Sequence, residues 1–254
     1  MSSTTFVLVH GAWHSGACWA HVASILTAQG CTVFTPDLPG HGNNALPLAK
    51  VTLKAYVNFL LDLLDGIDGK VCLVGHSMAG MVISEVAALR PDKVARLIYL
   101  CAYLPRDGES LFELIALNRG HEPFAAIDLA LQMSDDKRTC TIASEDIIPL
   151  FYQLAPASVA TEAKAAFAVQ ATLPLAAKVQ LNAAAFTQVP RSYLACTQDK
   201  VIPIHHQRRM LNRQPCDELL QLAADHSPFH SCPEQLAALL AACALSLQPA
   251  GIKP

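Results

Sequence analysis

The sequence predicts an α/β fold: a mostly parallel β-sheet with helices on both faces and a helical insertion over one end. Three observations carry that expectation. Short β-rich runs alternate with amphipathic helical patterns along the 254 residues, which is how parallel strands and their crossover helices are written. The run Val71–Val74 is continuously apolar, as a strand buried on both faces has to be. The alternation then stops at about residue 105 and resumes near residue 187, so one stretch is inserted between two strands.

In chain order, strands are expected at Phe6–Val9, Thr32–Thr35, Val71–Val74, Leu97–Cys101, Ser192–Cys196 and Glu218–Leu222. Helical patterns at Trp19–Gln29, Leu53–Leu64 and Met81–Leu89 fill the gaps, the last with Met81, Val82, Val86 and Leu89 on helical spacing. A final helix begins at Ser231 and Pro233; its apolar stretch near Leu236–Leu247 is too short to span a bilayer. From about Leu104 to Phe186 no strong strand appears. That stretch is rich in Ala and Leu, is punctuated by Pro123, Pro149, Pro156 and Pro174, and reads as a helical cap over the strand ends. The expected organisation is one domain, with a core of residues 1–104 and 187–247 and a cap of about 105–186.

Composition narrows the function. Hydrophobic residues make up 52% and charged residues 15%, enough apolar material for a packed core, with disorder expected only in the tail Gln248–Pro254. The net charge is −3 and the eighteen basic residues form no stripe, which argues against a nucleic-acid partner. MSSTTFVLVH lacks a basic leader region, and the nine cysteines contain no C-x-x-C pair. Both features point to a cytoplasmic chain with reduced thiols and no structural zinc.

Chemistry concentrates where VCLVGHSMAG turns from strand to helix. Ser77 sits on the junction, where strained backbone angles push a hydroxyl out of the sheet and neighbours two positions away must be small, here Gly75 and Ala79. An ordinary turn could carry a similar string, so the partners matter. A serine hydroxyl needs a base, and the base needs an orienting acid. Asp199 follows one predicted strand in TQDKVIP, and His226 follows the next in ADHSPFH. Their order, Ser then Asp then His, is itself a constraint. His230 is the rival base but lies four residues further from the strand end. His205 and His206 open a helix and are expected at the surface. His10 and His14 lack the H-E-x-x-H setting of paired metal ligands, so no metal or cofactor is expected. For a developing oxyanion, the backbone N–H of Met78 and that of Ala12 in HGAWHSG are the expected donors.

FVLVHGAWHSGACW, TPDLPGHG, VGHSMAG, TQDKVIP and DHSPF together resemble the α/β-hydrolase superfamily, and most of all the branch holding plant methylesterases, plant hydroxynitrile lyases and small bacterial carboxylesterases. The likeness spans the chain, loosely across the cap. It implies the α/β-hydrolase fold and a cofactor-free serine carboxylesterase for small apolar or aromatic esters, with Ser77, Asp199 and His226 as triad and Ala12 and Met78 as oxyanion hole. Gly11, Trp13 and Phe124 are then expected at the substrate, with Phe112 and Phe151 as further lining. The small-molecule ester is the expected partner, with no membrane and with a homodimer left open. Ala79 departs from the commoner glycine.

Hydroxynitrile lyase, lactonase and non-catalytic receptor are the alternatives on the same fold. In the lyases of this branch a threonine follows the first-loop histidine and a lysine follows the catalytic one. Here those places hold Gly11 and Ser227, which supply neither the hydroxyl contact nor a charge to stabilise cyanide. Acid release from methyl or aryl esters is expected, with no cyanide above background from mandelonitrile or acetone cyanohydrin. Enantioselective cyanide release at the ester rate would reverse this reading, and Gly11→Thr with Ser227→Lys is the exchange expected to favour lyase chemistry.

Overall fold

The computed structural model describes residues 4–118 and 127–245. Among the described residues nine strands occur in chain order: β1 Thr5–Val9, β2 Thr32–Phe34, β3 Val71–His76, β4 Val94–Leu100, β5 Leu131–Met133, β6 Thr139–Ile142, β7 Gln170–Ala171, β8 Arg191–Cys196 and β9 Glu218–Leu222. Six of them form one sheet in the order β2-β1-β3-β4-β8-β9, and every neighbouring pair is parallel. All six strands expected from the sequence are present, with ends shifted by a few residues.

The α-helices before the insertion are α1 Ala20–Ala28, α2 Leu53–Asp65 and α3 Ala79–Leu89. Within it lie α4 Leu111–Ala116, α5 Ile127–Ala130, α6 Ile147–Phe151, α7 Ala157–Ala165, α8 Leu173–Ala176 and α9 Ala183–Phe186, followed by α10 Ile204–Arg213, α11 Pro228–Ser231 and α12 Pro233–Leu245. Local chemistry explains several starts. The Thr52 side chain accepts from Ala55 N at 3.1 Å and caps α2, whose buried face repeats through Leu53, Tyr56, Val57, Leu60 and Leu64. Ser110 and Glu113 form a reciprocal capping box on α4.

Alternation along the strands divides the core in two. Phe6, Leu8, Val74 and Leu100 pack with Trp19, Val22 and Leu26 near α1 and with Leu236 and Leu240 of α12. Val7, Val9, Leu73 and Tyr99 face the other way, onto Val57 and Leu60 of α2 and Met81, Val82 and Val86 of α3. The insertion joins this second layer through Leu111, Leu114, Ile142, Leu150, Phe151 and Leu175. No helix among the described residues is long and apolar enough to cross a membrane.

Two expectations need correction. The insertion is not purely helical: β5, β6 and β7 form a small antiparallel sheet. Its strands are three, four and two residues long, too short for alternation to stand out from an Ala- and Leu-rich background. His206 is also not at the surface. It is 2% exposed, and its Nε2 donates to the Leu114 carbonyl at 2.9 Å, joining α10 to the insertion. The tail Gln248–Pro254 lies outside the described residues.

The turn between β3 and α3 is held by close approach to the exit of β4. A Cβ added at Gly80 would lie 2.0 Å from the Tyr103 carbonyl oxygen. The turn therefore demands glycine at position 80 as well as at Gly75, whose added Cβ would fall 2.8 Å from Ile83 Cδ1. Gly80→Ala should cost more than about 3 kcal/mol and lower Tm by roughly 6–12 °C. Gly66→Ala, whose added Cβ meets only Leu63 O at 3.5 Å, should leave a thermal melt nearly unchanged; equal melts for the two variants would contradict this packing.

Candidate active site

Parallel strands deliver their carboxyl ends to one edge of the sheet, and the loops there collect the predicted residues. Ser77 follows β3 with φ +54°, a left-handed conformation that costs a non-glycine residue about 1–3 kcal/mol. Neighbouring backbone holds it there. Ser77 N donates to Leu100 O at 3.3 Å, while Gly80 N and Tyr103 N each donate to Ser77 O at 3.1 Å.

The structure brings Ser77, His226 and Asp199 into one hydrogen-bonded line. His226 Nε2 lies 3.0 Å from Ser77 Oγ, and Nδ1 lies 2.7 Å from Asp199 Oδ2. All three side chains are buried, none more than 5% exposed. The other Asp199 oxygen accepts from Val201 N at 2.7 Å and Ile202 N at 2.8 Å, so the carboxylate is solvated by backbone dipoles in place of water. His76 Nε2 donates to the His226 carbonyl at 2.8 Å, and Cys101 Sγ reaches the same oxygen at 3.5 Å. The histidine backbone is thus fixed from β3 and from the end of β4. His230 stands elsewhere, against Tyr152 and Phe229.

Ala12 and Met78 both line the cavity over Ser77. Neither backbone N–H donates to another described residue, leaving both free for an oxyanion. The first loop is pinned from behind. His10 Nδ1 donates to Gly11 O at 2.8 Å while its Nε2 accepts from Leu38 N at 3.0 Å. Because a trans peptide points its N–H opposite to its C=O, fixing the Gly11 carbonyl aims the Ala12 N–H. Gly11 itself lies beneath the cavity: an added Cβ would fall 2.8 Å from Ser77 Cβ and 2.9 Å from His76 Nδ1. The Gly11→Thr exchange considered from the sequence therefore does not fit this loop without moving the serine.

The cavity offers the centres of water-sized molecules about 30 Å³ and is lined by Trp13, Tyr103, Leu111, Phe112, Ile115, Ile127, Leu131, Leu175 and Val201, besides Ala12, Ser77 and Met78. No charged side chain is among the described lining residues. Trp13 and Phe112 both face this cavity. Phe151 sits behind the cavity, edge-on to His226 with ring centroids 5.4 Å apart, and Phe124 lies outside the described residues. The aliphatic lining of the insertion was missed because nothing distinguishes such residues from core in a sequence.

For a metal, the ligand atoms of His76, Cys101 and His226 all lie within 4.8 Å of one another. Their shared hydrogen bonds to the His226 carbonyl account for that closeness, and both His226 ring nitrogens are already engaged with Ser77 and Asp199. All nine cysteines are free thiols.

A serine on a strained strand-to-helix turn after β3, an aspartate and a histidine on the loops after β8 and β9, and two open N–H groups above them define the layout of an α/β enzyme built for nucleophilic chemistry. Comparison with known proteins agrees. The alpha/beta hydrolase family model matches residues 6–239, and the chain belongs to that family. It is 32% identical over 246 residues to methylesterase 7 of Arabidopsis thaliana, covering 92% of this chain and 94% of that one. It is 34% identical over 248 residues to the pyrethroid hydrolase of Sphingobium wenxiniae, covering 95% and 88%. A crystal structure of a pyrethroid hydrolase from Sphingobium faniae JZ-2 superposes with a TM-score of 0.85 at 31% identity, over 96% of this chain and 98% of that one.

Burial keeps a set of histidines neutral. Desolvation lowers His14 from 6.5 to about 3, and His206 and His230 to about 4; His10 and His76 are driven well below their ordinary value, and His41 is lowered. Each binds its proton more readily when unfolded, so stability is full above pH 6.5 and is lost as pH falls from there toward 4. Asp225, raised by burial, acts in the opposite sense. Chemical denaturation at successive pH values should show ΔG of unfolding dropping steadily below pH 6.5, and a flat profile from pH 7 to 5 would contradict these assignments.

Proposed function

We propose that the chain is a serine carboxylesterase that hydrolyses small, neutral esters with apolar or aromatic groups. The observation that carries this reading is the unbroken line from Asp199 through His226 to Ser77 beneath a largely apolar cavity. Ser77 Oγ attacks the ester carbonyl as His226 Nε2 takes its proton, and Asp199 accepts from Nδ1–H and stabilises the imidazolium. The tetrahedral oxyanion is met by the N–H groups of Ala12 and Met78, worth about 3–4 kcal/mol each when well aimed. His226 then protonates the departing alcohol, activates a water against the acyl-enzyme, and the acid is released. The scheme calls on no metal or cofactor.

The insertion acts as the cap. Its described lining residues are uncharged and leave little free volume, which favours compact apolar esters and requires the cap to give way for longer ones. The relatives' names, a methylesterase and a pyrethroid hydrolase, support ester chemistry. Free thiols throughout suit a reducing, cytoplasmic setting.

Ser77→Ala should abolish turnover of an aryl acetate while leaving Tm within about 2 °C. His226→Ala should do the same, whereas His230→Ala should retain most activity. Activity surviving in Ser77→Ala, or lost in His230→Ala and kept in His226→Ala, would overturn the assignments.

A further inference from the structure

Three consecutive cap residues each reach a different catalytic loop. The Tyr152 hydroxyl lies 2.8 Å from His14 Nε2, on the loop that carries Ala12. Gln153 Nε2 donates to Gln198 O at 2.7 Å, one residue before Asp199. Leu154 N donates to Asp225 Oδ2 at 2.9 Å, one residue before His226. We propose that Tyr152–Leu154 is a clasp setting the oxyanion, acid and base loops against one another, and that Tyr152 and His14 are positioning residues for the oxyanion hole.

The hydrogen bonds give the direction of action. His14 Nδ1 donates to the Ala12 carbonyl at 2.8 Å, so its Nε2 is the acceptor and the tyrosine hydroxyl is the donor. The peptides on both sides of the Ala12 Cα are then pinned, the Gly11 carbonyl by His10 from the core and the Ala12 carbonyl by His14, which the cap holds. Two more cap bonds hold the next residue, Ala168 N to Trp13 O at 2.8 Å and Trp13 Nε1 to Cys140 O at 3.1 Å. Trp13 needs that support, since its φ of +63° is left-handed. Packing adds to it, the indole stacking on Phe167 and meeting Phe151 edge-on, each with ring centroids 5.8 Å apart. Behind His14 and Tyr152 lies a second, open cavity, with about 250 Å³ for the centres of water-sized molecules, and beside it the directed bonds add orientation to the ring contacts that His14 makes with Phe151, Phe167 and Phe229. Burial keeps His14 neutral, with its value near 3, and so preserves the acceptor that Tyr152 uses. The consequence is that the oxyanion hole is complete only when the cap is seated, which couples substrate fit to chemistry.

This inference rests on the esterase reading, and its test separates the two. Tyr152→Phe, His14→Ala and His14→Asn are compared with the wild type for kcat and KM on an aryl ester, for the rate of Ser77 phosphonylation by a fluorophosphonate, and for thermal melts. Tyr152→Phe should lower kcat and phosphonylation about tenfold, and His14→Ala about a hundredfold, with KM within twofold. His14→Asn, whose amide still donates to Ala12 O, should recover to the level of Tyr152→Phe. Folded variants with wild-type rates, or losses carried by KM alone, overturn the clasp. Should His14→Ala fail to fold, Tyr152→Phe, which removes only a hydroxyl, decides. A wild type that is phosphonylated but turns over no ester would sink the esterase reading, while the phosphonylation ratios still decide the clasp.

Discussion

The left-handed backbone of Ser77 is the constraint on which the site depends. A serine at φ +54° relaxes unless its surroundings over-determine it. Here the exit of β4 does so: Leu100 and Tyr103 bond the serine's own N–H and C=O, and the Tyr103 carbonyl lies where any side chain at position 80 would have to go. The parallel pairing of β3 with β4 brings that exit alongside the turn. Sheet register, a glycine and a nucleophile's direction are thus one problem, solved together.

Around that fixed point, many of the buried polar groups are paired through backbone. Asp199 takes two N–H groups, and the His226 carbonyl takes contacts from His76 and Cys101. His10 and His14 each spend one nitrogen on a carbonyl of the oxyanion loop. Neutral imidazoles suit this use because each offers one donor and one acceptor without the cost of a buried charge. The same choice makes the fold acid-sensitive, so catalytic geometry and pH tolerance share a cause.

The sheet was legible because its strands are apolar, separated by amphipathic helices and bounded by clear turns. Ser77, Asp199 and His226 could be named because each follows a strand and the three fall in a restrictive order; the structure places them in line. What stayed hidden was non-local. Nothing in the string Phe151-Tyr152-Gln153-Leu154 reveals that its hydroxyl, amide and backbone N–H meet three loops from distant parts of the chain. His206 looked like a surface residue because the helix it opens is strongly polar, and only the docking of α4 gives its ring a buried acceptor. The cap strands are too short to carry a period, and Gly80 looked incidental until the Tyr103 carbonyl appeared beside it.

The central claim is that Ser77 forms a covalent acyl-enzyme, and the most direct measurement is mass spectrometry of protein mixed with an aryl ester and quenched in acid within one turnover. The account predicts a single added acyl mass, mapped by peptide sequencing to Ser77. Steady ester turnover with no adduct, or an adduct on a cysteine or histidine with Ser77 unmodified, would contradict it.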